Sequence, residues 1–133
     1  MEIQSVTNNR EICVKKPFEY RHYSAVEMYD GVEFPMRAEV GLLTRNIKIQ
    51  GDEESVSEEY GSHLMLTGSE KEGLVGKISY SEFTRCGQPT IIGRYCTHFH
   101  MAGEVPNSYV KGIGVHHSFA RVLTIHGTHF LKV

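Results

Sequence analysis

The chain has 133 residues, of which 40% are hydrophobic and 23% charged, with 13 glycines and a formal net charge of -2. That is enough for one domain with a real core, too apolar for disorder, and without the basic field that nucleic acid demands, so nucleic-acid binding is excluded. No window approaches the roughly eighteen consecutive apolar residues of a membrane span, and the first ten residues lack the apolar region of a signal peptide; the residues alone therefore carry no span, signal peptide or anchor and point to the cytosol.

From the amino terminus, Ile3 to Val6 and Ile12 to Val14 read as short strands joined by a Thr-Asn-Asn-Arg turn, with Pro17 limiting the second. Tyr29-Asp-Gly-Val32 reads as a further turn, and Pro35 as a break. Ile47 and Ile49 then alternate with Asn46, Lys48 and Gln50 ahead of Gly51, the pattern of a strand with one buried face. The run from Asp52 to Gly61 carries five acidic residues and reads as an exposed loop; a calcium loop is the sharper alternative, but its alternating acid and glycine pattern is missing.

His63 to Thr67 is another short strand, and Lys77 to Phe83 repeats the earlier form, with Ile78 and Tyr80 in the places of Ile47 and Ile49. Gly112 to His116 returns it with Ile113 and Val115, and Phe130 to Val133 begins what looks like another copy. Strands recurring without any helical period are what a stacked β-solenoid leaves in a sequence, with a β-sandwich as the rival. On this reading Ile47, Ile78 and Ile113 form one stacked column. The last copy stops early, which predicts self-association through an open carboxyl-terminal strand edge.

Six of the eight histidines fall between Gly93 and Val133. If Thr97 to His100 and Leu123 to His126 are neighbouring parallel strands, period-2 alternation turns Thr97, Phe99, Leu123 and Ile125 inward and His98, His100, Thr124 and His126 outward. His100 then lies over His126 and His98 over Thr124, about 4.8 Å apart. Such a ladder is structural hydrogen bonding, a ligand surface, or a metal site: His98, His100 and His126 match a three-histidine centre for a divalent metal, and Cys96 shares the strand face. Arg94 and Arg121 precede the two strands and suit bidentate pairing with carboxylates. Of His116 and His117, one must point inward. Three cysteines, Cys13, Cys86 and Cys96, show no Cys-x-x-Cys spacing, so no disulfide framework is signalled and at least one thiol is free.

Several of these stretches carry a resemblance. Met36-Arg-Ala-Glu-Val-Gly-Leu-Leu-Thr-Arg-Asn-Ile, Gly93-Arg-Tyr with His98-Phe-His-Met-Ala-Gly-Glu-Val, and Ser108-Tyr-Val-Lys with His116-His-Ser-Phe and Thr124-Ile-His-Gly127 resemble the β-helix region of the family of the cell migration-inducing hyaluronan-binding protein. The transmembrane cell-surface hyaluronidase and the fibrocystin-like proteins share that region, and the resemblance runs from about Tyr20 to Val133.

The resemblance implies an all-β, right-handed parallel β-helix, here partial: residues 1-133 form a single segment, 1-35 an irregular lead-in and 36-133 stacked rungs, within a longer ectodomain. It implies an extracellular or cell-surface setting and hyaluronan, or a related glycosaminoglycan, as partner, with Arg94, His98, His100, Arg121 and His126 as ligand-binding candidates. Hyaluronidase-like depolymerisation is implied for a full-length protein and not for this piece alone; the alternative is a non-enzymatic cell-surface scaffold of the fibrocystin-like type. A glycosidase needs two carboxyl groups flanking the bond, and Glu39, Glu82 and Glu104 are available without any pattern that pairs them, so no catalytic residue is named.

Overall fold

The computed structural model describes residues 1–133, the side chain of Glu70 excepted. The chain divides into two compact units, Met1–Val40 and Gly41–Val133.

The first unit is two antiparallel hairpins. β1 (Ile3–Thr7) pairs with β2 (Glu11–Val14), and β3 (Ser24–Tyr29) with β4 (Val32–Arg37). Turn chemistry makes both. Asn8 and Asn9 have φ of 52° and 53°, and Asp30 and Gly31 of 47° and 77°. Two successive left-handed residues match the right-handed twist of a hairpin, and Asn, Asp and Gly adopt that conformation at least cost. Pro35 does not break β4; it sits opposite Val26 in a two-stranded ribbon, where an edge position loses no ladder hydrogen bond.

The second unit holds β5 (Ile47–Gln50), a one-turn helix α1 (Glu54–Glu58), β6 (Leu64–Thr67), a 3-10 turn (Glu70–Glu72), β7 (Lys77–Ser79), β8 (Ser81–Cys86), β9 (Thr97–Glu104), β10 (Tyr109–Lys111), β11 (Gly114–Ser118) and β12 (Leu123–His129). Part of the acidic run is thus helical: Asp52, one residue ahead of the N-cap Glu53, accepts hydrogen bonds from the Ser55 hydroxyl and backbone N–H, both at 2.9 Å, which ties it to the first turn of α1 and lowers the Asp52 pKa. The strands pair in parallel in the orders β11-β8-β5, β12-β9-β6 and β10-β7.

The expected right-handed parallel β-helix of stacked rungs is corrected by this pairing. Among the described residues the strands form five small sheets of two or three strands, two of them antiparallel, with no closure into a solenoid. The first two sheets are antiparallel because tight left-handed turns return the chain directly, whereas parallel pairing needs a long crossover. The expected column of Ile47, Ile78 and Ile113 is corrected too. Ile49 pairs with Phe83, and Phe83 with Val115, while Ile78 pairs with Val110 in a different sheet and Ile113 precedes β11. Tyr80 causes the difference: its φ of 50° turns a corner between β7 and β8, so one apparently continuous strand serves two sheets.

The core follows that register. Phe83, Cys86 and Cys96 are fully buried, packed by Ile49, Leu64, Ile78, Ile113 and Val115. Cys86 and Cys96 form a disulfide and Cys13 is free. The absence of a Cys-x-x-Cys spacing was a poor guide here, because the loop between the end of β8 and the start of β9 folds back to bring the two residues to a Cα separation of 4.9 Å. At the carboxyl end Lys132 stacks on Tyr109, its carbonyl accepting from the Val110 N–H at 2.8 Å. Self-association through an open edge finds no support in these contacts.

Candidate histidine groove

β9 and β12 run in parallel with Thr124 opposite His98 and His126 opposite His100, which is the register expected from alternation. Inward, Thr97 and Phe99 are fully buried. Outward, the three imidazoles cluster: ring centroids lie 4.9 Å apart for His98 and His100, 5.1 Å for His100 and His126, and 6.4 Å for His98 and His126. The regular ladder ends here. Met101 adopts φ of 51° and the register shifts after His126, so the His100 and His126 pair is the last before a bulge, a device that re-aims neighbouring side chains.

The three histidines differ in environment. His126 is exposed, His100 is half-buried, and His98 is 2% exposed although it points away from the core. The preceding loop covers it: the Tyr95 ring centroid lies 5.1 Å from the His98 ring, and His98 Nδ1 is 2.8 Å from the Gly93 carbonyl oxygen. A carbonyl only accepts, so Nδ1 carries the proton and donates, leaving Nε2 as the nitrogen with a lone pair. Nε2 is buried and without a hydrogen-bond partner, as is the hydroxyl of Thr124 opposite. Burial lowers the His98 pKa below its ordinary 6.5, and the neighbouring His100 and His126 add to this, against the Gly93 hydrogen bond.

Arg121 joins the cluster and Arg94 does not. Arg121 donates from Nη1 to the Tyr95 hydroxyl at 3.1 Å and stands over that ring, 5.2 Å from its centroid. With Tyr95, Met65 and the three histidines it lines one open groove, which Ile92 and Ile125 extend. Arg94 instead donates to Gln88 Oε1 at 2.8 Å and to the Tyr60 hydroxyl, tying two loops together. Cys96 offers no ligand to the groove, being consumed in the disulfide.

A second polar cluster escaped the sequence reading. On the sheet β11-β8-β5, Glu82 is 1% exposed and accepts from Lys48 Nζ at 2.9 Å, the Arg45 backbone N–H at 3.0 Å and His116 Nε2 at 3.0 Å. The Lys48 hydrogen bond above all, then that of Arg45 and, more weakly, that of His116, hold its carboxyl well below the ordinary 4.5, at about 2. His116 Nδ1 lies 2.6 Å from His117 Nδ1 and 3.3 Å from Thr84 Oγ1. Neither histidine enters the core: His116 is half-buried and His117, at φ of 49°, is exposed. Stacking Ile49 on Phe83 instead of Tyr80 would have shown Lys48 beside Glu82; the expected register was three residues out of step. Of the other carboxylates, Glu104 borders a separate hollow with Lys71 and Pro106, and Glu39 belongs to the first unit.

The fold and groove define a class, a domain of short parallel β stacks around a buried disulfide, with a histidine-lined outer face. A family model described as CEMIP beta-helix matches residues 59–133, and the chain belongs to that family. It is 38% identical over 141 residues to the human cell surface hyaluronidase CEMIP2, covering 92% of this chain and 10% of that protein. It is 36% identical over 147 residues to the human cell migration-inducing and hyaluronan-binding protein (98% of this chain, 10% of that protein), and 34% over 160 residues to mouse fibrocystin-L (92% and 4%). The chain therefore spans a tenth or less of the length of these relatives. No solved structure matches it.

Proposed function

We propose that this chain forms part of the hyaluronan-binding surface of a longer cell-surface or secreted protein, and that the groove of Tyr95, Arg121, His100 and His126 is the contact. The observation that carries the reading is the Arg121 guanidinium held against Tyr95 at the edge of an open groove whose lining, among the described residues, contains no carboxylate. Hyaluronan repeats a uronate carboxylate, which suits an arginine fork, and sugar rings pack on aromatic faces. Two relatives are named for hyaluronan binding or hydrolysis. A disulfide in the core fits an oxidising, extracellular setting. No helix is long and apolar enough to cross a membrane among the described residues.

Depolymerisation belongs, on this reading, to the whole protein: among the described residues the groove supplies no pair of carboxyl groups to flank a glycosidic bond. The second reading is a non-enzymatic scaffold, favoured by the similarity to fibrocystin-L. Titration of hyaluronan oligosaccharides into the chain decides between them. A charge-assisted contact contributes roughly 1.5–3 kcal/mol, so Arg121→Ala should weaken binding about tenfold or more, and Arg94→Ala should leave it unchanged. No binding by the folded parent supports the scaffold, and equal binding by the parent and Arg121→Ala removes the groove from the account.

A further inference from the structure

We propose that His98, His100 and His126 form a binding site for one divalent transition-metal ion of the zinc class. One nitrogen from each ring lies within 4.8 Å of the others. His126 Nδ1 and His100 Nδ1 are 3.2 Å apart, close to the separation of about 3.3 Å between two ligands of a tetrahedral ion at metal–nitrogen distances of about 2.05 Å. The remaining adjustment falls on His100 and His126, which are half-buried and exposed and have room to turn.

A surface cluster of imidazoles would not by itself indicate an ion. The independent observation is His98. Its Nε2 is buried, unpartnered and left with its lone pair, because Nδ1 is committed to the Gly93 carbonyl. A buried acceptor with no donor is costly, and a histidine whose other nitrogen is fixed by a backbone carbonyl is the arrangement that metal-ligating histidines adopt. The Thr124 hydroxyl, on the paired position, is buried and unpartnered as well, and both residues line the same groove. An ion at Nε2 would satisfy the His98 lone pair.

The donor set selects the ion. Three neutral imidazoles without thiolate or carboxylate favour zinc or copper over calcium or magnesium, which take oxygen ligands. Three protein ligands would leave a fourth position for water or a ligand oxygen, and the three rings line the same groove as Arg121. The site does not depend on glycan binding and is tested without glycan present.

The test is equilibrium dialysis of the 133-residue chain against zinc chloride followed by elemental analysis, with cobalt(II) substitution read by visible absorption. The expected result is one zinc per chain and the intense visible bands of four-coordinate cobalt. His126→Ala and His100→Ala change side chains outside the core, so both variants should fold, which circular dichroism verifies. Loss of a partner that only orients a ligand already costs roughly 10–100-fold in metal affinity, so each variant should weaken zinc binding by at least about 100-fold. His117→Ala, on the other sheet, should retain the ion. A parent that holds no zinc after dialysis overturns the proposal. So does full retention by His126→Ala, or loss only in His117→Ala, which would move the ion to the His116 and His117 pair.

Discussion

Replacing Cys86 and Cys96 together by alanine tests the core most directly. The two residues are 10 apart in sequence, and the chain-entropy relation for a closed loop of that size gives about 2.7 kcal/mol of stabilisation through the unfolded state. Both side chains are fully buried against Phe83, so removing the sulfur atoms adds a small packing loss and brings the expected cost to about 3 kcal/mol or slightly more. Urea unfolding followed by circular dichroism measures it. With a slope of about 1–3 kcal/mol per molar, the midpoint should fall by roughly 1–3 M. Thiol titration of the unfolded, unreduced parent should find one reactive group per chain, Cys13. A midpoint shift below about 0.5 M, with the parent's disulfide shown to be intact, would refute the placement of this crosslink at the centre of the core.

Phe99 is fully buried and its ring closes on Gly76, where an added Cβ would come within 3 Å of it; Phe99→Ala should cost about 3–5 kcal/mol in the same urea assay, against less than about 1 kcal/mol for the exposed Ile125→Ala beside it. Glu82 gives a pH dependence with a definite sign. Its carboxyl is held at about 2 in the folded chain against an ordinary 4.5, so on acidification the unfolded chain takes up the proton first. The stabilisation is complete above about pH 4.5 and is lost as the pH falls through about 2, and Glu82→Gln should flatten the stability curve between those values; an unchanged curve would show that Lys48 and His116 do not hold the charge.

Local chemistry made a good deal of this protein legible in its sequence. Asn8-Asn9 and Asp30-Gly31 announce left-handed turns because few other residues accept them, and both close hairpins. The pairing of His100 with His126 follows from period-2 alternation, which a strand cannot evade without burying its polar face. The long motifs around His98, His116 and His126 carried the family, which the match over residues 59–133 shows.

The rest was decided only by tertiary structure, because it depends on which distant segment supplies a partner. A left-handed Tyr80 splits one apparent strand between two sheets, and no periodicity reveals that corner. Backbone pairing beyond that corner then moves the register by three residues, so Phe83 rather than Tyr80 lies beside Ile49 and Glu82 comes to rest against Lys48. Cys86 and Cys96 meet because their loop folds back, not because of their spacing. The alternation that turns His98 outward could not foretell that Gly93 and Tyr95 would cover it, fixing one ring nitrogen and stranding the other. Sequence set the chemistry of each residue and the faces of each strand; burial and partners came from contacts between segments far apart in the chain.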